Sequence, residues 1–172
     1  MKMKLTIALI AALSIGSASA HNGVDHSKTP AMQGGRDVSK AVLHIAANAA
    51  EPVAAVERFS AALAAGDLVK VAAELDANVV ILESGGAEHS SAEYMAGHAK
   101  SDAAFLKTAH MMLKNRTAVA GVDMAWVASE NEIHTMRGEQ MLTIFSTETM
   151  VLKKTGTAWK IVHIHWSSRA KK

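Results

Sequence analysis

Apolar and polar residues alternate over the last quarter of the chain. Between positions 146 and 169 the sequence reads STETMVLKKTGTAWKIVHIHWSSR, and this period of two predicts two strands on either side of a tight turn at Gly156 and Thr157. Antiparallel pairing about that turn places three pairs of residues opposite each other on one face of the hairpin. The predicted pairs are Leu152 with Ile161, Met150 with His163, and Glu148 with His165.

Both faces of this predicted hairpin are apolar. One carries Trp159, Ile161, His163 and His165, and the other carries Val151, Val162, Ile164 and Trp166. Successive strand residues point to opposite sides, so only one face can lie against helices. A monomer would expose the second face, and soluble monomers rarely expose large apolar patches. We therefore expect a back-to-back homodimer with Trp166 near its centre.

Helical spacing dominates the first half of the predicted domain. Apolar residues recur from Pro52 until Gly66, Asp67 is placed to cap a second, short helix, and the branched run 79–82 predicts a strand. Farther on, Ser90 and Glu93 form a capping-box pattern. It predicts a helix over 91–107.

Alternation returns over 110–122, 124–136 and 141–154. Together with the terminal strand, the order is helix, helix, strand, helix and four strands. This order predicts an α+β fold, in which a curved antiparallel sheet wraps around three helices of the N-terminal half to form a cone.

The N-terminus has the pattern of a secretory signal. Lys2 and Lys4 precede an apolar run over 5–15, and small residues at 18–20 give a cleavage site. We expect cleavage after residue 20, export to a bacterial periplasm and no membrane contact afterwards. The remaining organisation predicted from the sequence is a linker over 21–50 with a short helix at 38–47, one domain over 51–169, and a tail over 170–172.

Charge and cysteine content narrow the classes of partner. The chain has 18 Lys plus Arg and 16 Asp plus Glu, so loss of Lys2 and Lys4 leaves 16 against 16. A neutral chain is a poor match for nucleic acid, and no such partner is predicted. With no cysteine in an oxidising compartment, stability depends on packing and association.

The terminal hairpin also resembles a known superfamily. It is similar to the nuclear transport factor 2-like superfamily, especially to SnoaL-like domains and to the association domain of calcium/calmodulin-dependent kinase II. Those families share the pattern E-T-x-V followed by a turn and W-x-x-V-H-x-H-x-S. Its positions here are Glu148, Thr149, Val151, Trp159, Val162, His163, His165 and Ser167. The resemblance implies the cone fold but no particular activity, since this fold hosts isomerases, hydrolases, scaffolds and transport factors.

Candidate pocket residues lie on the third helix and on the hairpin. Tyr94, His98 and Asp102 follow each other at intervals of four, so they share a helix face that is either a pocket wall or a solvated flank. The hairpin adds Glu148, Met150, His163 and His165. Superfamily enzymes place a carboxylate or histidine inside the cone, but no catalytic motif matches here, and no catalytic residue is assigned.

A metal site is a weaker alternative. His163 and His165 would project from the same face about 6 to 7 Å apart. A third ligand would have to come from Glu148, His98 or His134, and two histidines without a fixed third ligand do not define a site. No cofactor is therefore predicted, and the methionines on the strands are read as core residues.

Three functions remain open from the sequence. The first is an exported protein that binds a small molecule in the cone. The alternatives are an enzyme of the same cone that transfers protons or hydrolyses its substrate with His/carboxylate pairs, and a periplasmic metal-binding protein. Pocket volume separates them, because a cone filled by Met150 and Trp159 would exclude both ligand and substrate.

Overall fold

A computed structural model describes residues 35–37 and 41–172 of the chain. Its helices are α1 (Ala50–Ala65), α2 (Leu68–Glu74), α3 (Ser91–Ala96) and α4 (His98–Leu106), and a 3-10 turn at Ala47–Ala49 leads into α1. The strands are β1 (Gly35–Asp37), β2 (Val42–Ile45), β3 (Leu75–Glu83), β4 (Gly86–Glu88), β5 (His110–Ala120), β6 (Met124–Arg137), β7 (Gln140–Thr155) and β8 (Ala158–Ala170).

All the described strands form one sheet. Its order is β1-β5-β6-β7-β8-β3-β4, and β2 also pairs with β5. The four long strands β5 to β8 form an antiparallel meander, whereas β3 joins β8 in parallel and both β1 and β2 join β5 in parallel. Helix α1 packs against β6 and β8. The predicted α+β fold, a curved sheet around helices of the N-terminal half, is confirmed.

The predicted third helix is divided in two. Ser90 Oγ accepts a hydrogen bond from the Glu93 backbone N–H (3.1 Å), as the capping-box pattern predicts, and the Glu93 carboxylate accepts from the His89 N–H (2.8 Å). The chain then leaves the helical conformation at Gly97, with φ −129° and ψ −86°. The break separates α3 from α4 and sets the angle at which α4 reaches the cone.

The predicted short helix at 38–47 is wrong where the structure describes it. Residues Val42–Ile45 form β2 and pair with Asn115 to Ala118 of β5. A helix here would leave the backbone groups along that edge of β5 without strand partners, so sheet pairing overrides a weak local helical pattern. The predicted signal at 1–20 and most of the linker lie outside the described residues, and both stay predictions.

A β-bulge at Val162 changes the predicted faces of the hairpin. Leu152 lies opposite Ile161 as predicted, but the next pair is Val151 with His163, which leaves Val162 as an extra residue in β8. A bulge places two residues of one strand opposite one residue of its neighbour. Beyond it, Met150 pairs with Ile164 and Glu148 with Trp166. The predicted pairs Met150–His163 and Glu148–His165 are wrong.

The shift of one residue reverses which side chains of β8 point inward beyond Val162. Ile164 and Trp166 lie in the core, 0% and 8% exposed, although the sequence pattern assigned them to a dimer interface. His165 is exposed, and His163 donates from Nδ1 to the Val80 carbonyl oxygen (2.9 Å) on the neighbouring strand. Because successive residues alternate between faces, the two histidines point away from the helices.

The outer face of the sheet still carries apolar residues. Val119, Trp126 and Val151 follow each other in register across β5, β6 and β7, and Trp126 is 40% exposed. The homodimer stays a prediction. If it forms through this face, its central tryptophan is Trp126 and not Trp166.

We predict that Trp166→Ala destabilises the protein far more than His165→Ala. Loss of the buried indole should lower the free energy of unfolding by about 3–5 kcal/mol, whereas truncation of the exposed imidazole should change it by less than about 0.5 kcal/mol. Urea denaturation followed by circular dichroism measures both. A larger cost for His165→Ala would show that β8 has no bulge.

Candidate functional site

Five residues form a continuous row across the inner face of the sheet. In register they are Arg116 on β5, Ser129 on β6, Glu148 on β7, Trp166 on β8 and Glu83 on β3. We refer to these five residues as the polar row. Arg116 Nε donates to Ser129 Oγ (3.2 Å), and Trp166 Nε1 donates to Glu148 Oε2 (2.9 Å).

An apolar layer closes the cone on one side of the polar row. The next inward-facing residues of the same five strands are Ala118, Val127, Met150, Ile164 and Ile81. Each is at most 1% exposed. Since this layer is fully packed, the space available for a ligand lies on the other side of the polar row.

A cavity of about 420 Å³ occupies that space. Helix α1, helix α4 and strands β5 to β8 form its walls. The lining residues are Glu57, Phe59, Ser60, Ala61, Leu63, Ala64, Asp102, Leu106, Ala109, Met111, Asn131, Ile133, Ser146, Glu148 and Trp166. Most of these side chains are apolar, and the polar ones come from both the helices and the sheet.

Trp166 is the side chain that fixes the geometry of the cavity floor. Besides its hydrogen bond to Glu148, its ring stacks on Phe59 of α1, with centroids 6.3 Å apart and an interplanar angle of 25°. The ring of Tyr94, on α3, also contacts the indole, with centroids 6.2 Å apart and an interplanar angle of 45°. Such aromatic pairs contribute beyond the area they bury. The indole therefore connects the sheet with two helices.

Asp102 brings a carboxyl group to the cavity from α4. The Tyr94 hydroxyl donates to Asp102 Oδ2 (2.9 Å), and within residues 41–172 this is the one hydrogen bond of the Asp102 carboxyl group. Burial raises the pKa of Asp102 to about 6, against the lowering effects of the Tyr94 hydrogen bond and of His98. Burial also raises the pKa of Tyr94, so the phenol stays a donor. A carboxyl group with a pKa near neutrality can both accept and return a proton.

Glu83 and Glu88 are two further buried carboxyl groups near Asp102. Glu83 is 5% exposed, and its Oε1 has no hydrogen-bond partner within residues 41–172. Burial, and next to it the charge of Asp102, raise the pKa of Glu83 to about 7, while His98 opposes the shift. Glu88 is 6% exposed and contacts His98 Nδ1. His98 is the cation of this group when it is protonated.

Of the residues predicted for the pocket, Asp102 and Glu148 line the cavity and Tyr94 supports Asp102. Met150 lies in the apolar layer. His98 lies with Glu88 beside the cavity, and His163 and His165 lie on the outer face.

Sequence reasoning missed several residues of the site. They are Glu83, Arg116, Phe59 and, as an inward-facing residue, Trp166. The alternation Val79, Ile81, Glu83 in β3 was the available signal for Glu83, because it places the carboxyl on the same face as two core residues. Arg116 follows a register shift at Lys114, so simple alternation assigns it to the wrong face.

No group of three or more His, Asp or Glu residues in the described ranges is arranged to hold a metal ion. None of the described helices has the length and apolar character that a membrane span requires.

Comparison with known proteins agrees with this architecture. Residues 53–171 match the family model of the SnoaL-like domain. The chain belongs to the SnoaL-like domain family. This match confirms the predicted membership of the nuclear transport factor 2-like superfamily, which the terminal hairpin resembles. The matched range includes strand β8 with its bulge. Among curated protein sequences, none matches the chain significantly.

Solved structures extend the comparison. A candidate ketosteroid isomerase from Shewanella frigidimarina NCIMB 400 is 32% identical, with a TM-score of 0.66 over 72% of this chain and 99% of that one. The association domain of the C. elegans calcium/calmodulin-dependent kinase II is 20% identical, with a TM-score of 0.60 over 70% and 95%. A candidate dehydratase of the same fold from Streptomyces avermitilis is 16% identical, with a TM-score of 0.59 over 68% and 93%. The last two similarities show the fold alone.

We predict that Glu83→Gln flattens the dependence of stability on pH. The pKa of Glu83 is raised from 4.5 to about 7 by folding, so between these pH values the folded state binds more protons than the unfolded state. The free energy of unfolding therefore falls as the pH rises through this range. The amide cannot ionise. The variant should therefore be more stable than the wild type above pH 7, by about 1–3 kcal/mol.

Urea denaturation from pH 4.5 to 8.5 measures this effect, with Glu139→Gln on the exposed β6–β7 turn as the control. Asp102, His98 and Glu88 face Glu83 in both proteins, so the difference between the curves isolates Glu83. Parallel curves for wild type and Glu83→Gln would contradict the buried environment of this carboxyl.

Proposed function

We propose that this chain is an exported small-molecule-binding protein whose cone holds a compact, largely apolar ligand. The main observation in support of this proposal is the cavity beside the polar row. Its volume of about 420 Å³ falls in the range of about 300–1,000 Å³ that is usual for ligand pockets, which combine apolar walls with a few polar groups. Export rests on the sequence of residues 1–20.

The side chains that could fill the cone are held elsewhere. Met150 packs in the apolar layer, and Trp159 donates from Nε1 to Glu51 Oε2 (3.2 Å) at the start of α1. Neither lines the cavity. The cavity beside the polar row therefore stays unfilled by these two side chains, which favours a binding site over a solid core.

We predict that Ala64→Phe removes ligand binding and Ala65→Phe does not. Ala64 lines the cavity from α1, and a phenyl ring there would occupy much of its volume. Ala65 is the next residue on the same helix, exposed and outside the lining, so it is a matched control for the same substitution.

The measurement is the fluorescence of a neutral, environment-sensitive dye such as Nile red, titrated with each protein. The wild type and Ala65→Phe should enhance the emission and saturate, while Ala64→Phe should lose at least about ten-fold in affinity. Absence of saturable binding to the wild type would contradict the proposed function.

Proton transfer is a second candidate, favoured by the environment of Asp102. Its carboxyl lines an apolar cavity, accepts a hydrogen bond from Tyr94 and has a pKa raised to about 6. The similar Shewanella protein is a candidate isomerase of ketosteroids, a reaction that moves a proton beside a carbonyl group. Asp102 would act as the base that removes and returns this proton.

With a β,γ-unsaturated 3-ketosteroid as substrate, we predict that kcat/KM rises with pH through about 6, where Asp102 ionises. Asp102→Asn should lower kcat/KM by about 10²-fold or more. Tyr94→Phe should move the inflection to higher pH, because the tyrosine hydrogen bond lowers the pKa of Asp102. A steady-state pH profile checks both. An unshifted inflection in Tyr94→Phe would exclude Asp102 as the titrating base.

A further inference from the structure

Hydrogen-bond acceptors dominate the polar part of the cavity. Asp102, Glu148 and Glu57 contribute carboxyl groups, and the other polar lining residues are Ser60, Asn131 and Ser146. Among the described residues that line the cavity, none is Lys, Arg or His. A ligand therefore meets carboxyl groups and no cationic side chain among the described residues that line the cavity.

The carboxyl group of Glu148 is only partly satisfied by the protein. Oε2 accepts from Trp166 Nε1, but Oε1 is buried and has no hydrogen-bond partner within residues 41–172. A buried acceptor without a donor is costly, more so when it is charged. The Glu148 side chain lines the cavity, so a bound molecule with a donor group would lie next to this carboxyl group.

Asp102 brings a second carboxyl group to the cavity from α4. It is 8% exposed, and Tyr94 hydrogen-bonds its Oδ2 only. The rings of Tyr94 and Trp166 are in contact, so both carboxyl groups are attached to the same aromatic pair, one through each ring. A donor bound beside Trp166 would lie between the two acids.

The buried cation of the polar row is already matched by a carboxylate. Arg116 is 1% exposed and donates from its guanidinium to Glu57 Oε1 (3.0 Å) and to Ser129 Oγ (3.2 Å). Its charge is therefore paired with the carboxylate of Glu57. The remaining charge in the cavity is negative, which repels anionic ligands and favours cations.

We propose that the cavity binds an organic amine in its ammonium form, with an aromatic or aliphatic body of modest size. This inference rests on the proposed function and names its ligand class. The ammonium group would donate to Glu148 and Asp102, next to the face of Trp166. Cations are attracted to indole rings, most strongly where water is excluded. The body would lie against Phe59, Leu63, Leu106, Met111 and Ile133.

Three ligands with the same body test the charge of the head group: 4-phenylbutylamine, 4-phenylbutanol and 4-phenylbutyrate. Isothermal titration calorimetry of the full mature protein at pH 7.5 should show the amine binding at least about ten-fold more tightly than the alcohol. The carboxylate should show no measurable binding. Equal or tighter binding of the alcohol, or any preference for the carboxylate, would overturn the inference.

Two substitutions locate the head group. Glu148→Gln and Asp102→Asn should each weaken the amine at least about ten-fold and leave the alcohol within about two-fold, whereas Glu139→Gln on the exposed turn should change neither. Circular dichroism confirms that each variant is folded, and the comparison of three ligands on the wild type does not depend on any variant. Equal losses for amine and alcohol would overturn the assignment of these two acids.

Failure of this inference is distinguishable from failure of the proposed function. If the neutral dye binds to the wild type but the amine has no advantage over the alcohol, the pocket exists and the ligand class is wrong. If neither the dye nor any of the three ligands binds, both are wrong.

Discussion

The β-bulge at Val162 sets which residues of β8 face the interior of the cone. On the turn side of the bulge, Trp159 and Ile161 point inward, and beyond it Ile164 and Trp166 do so. Without the extra residue, His163 and His165 would occupy the interior, and the indole that connects the sheet with α1 and α3 would lie outside. One residue of register therefore decides the composition of the cavity floor.

Four of the five members of the polar row are held by side-chain hydrogen bonds to a neighbour. Arg116 has Ser129 and Glu57, and Glu148 has Trp166. Burial of such groups is costly unless they are hydrogen-bonded. Glu83 is the least satisfied member, and burial raises its pKa to about 7, which favours the protonated form over a wider range of pH. The row provides a polar floor in an otherwise apolar cone.

The same arrangement separates the residues that build the fold from those that face the cavity. The apolar layer packs the interior of the cone, whereas Glu148 of the polar row and Asp102 of α4 present carboxyl groups to the cavity. In this chain α4 contributes Asp102 because the break at Gly97 lets Tyr94 and Asp102 meet across two short helices. Ligand binding and proton transfer would both use the carboxyl groups of Asp102 and Glu148. Proton transfer additionally requires a ligand with an acidic C–H bond.

The sequence by itself determined the order of elements, the α+β cone and the turn of the terminal hairpin, because hydrophobic periodicity and capping residues act locally. It also named Tyr94 and Asp102 as pocket residues, although it placed them on one continuous helix, which the structure divides at Gly97. The bulges at Val162 and Lys114, the strand Val42–Ile45 and the pairing of Arg116 with Glu57 were decided by tertiary structure. Each depends on a partner distant in sequence, since an unpaired strand edge or a buried charge is satisfied only when the whole sheet has closed around the helices.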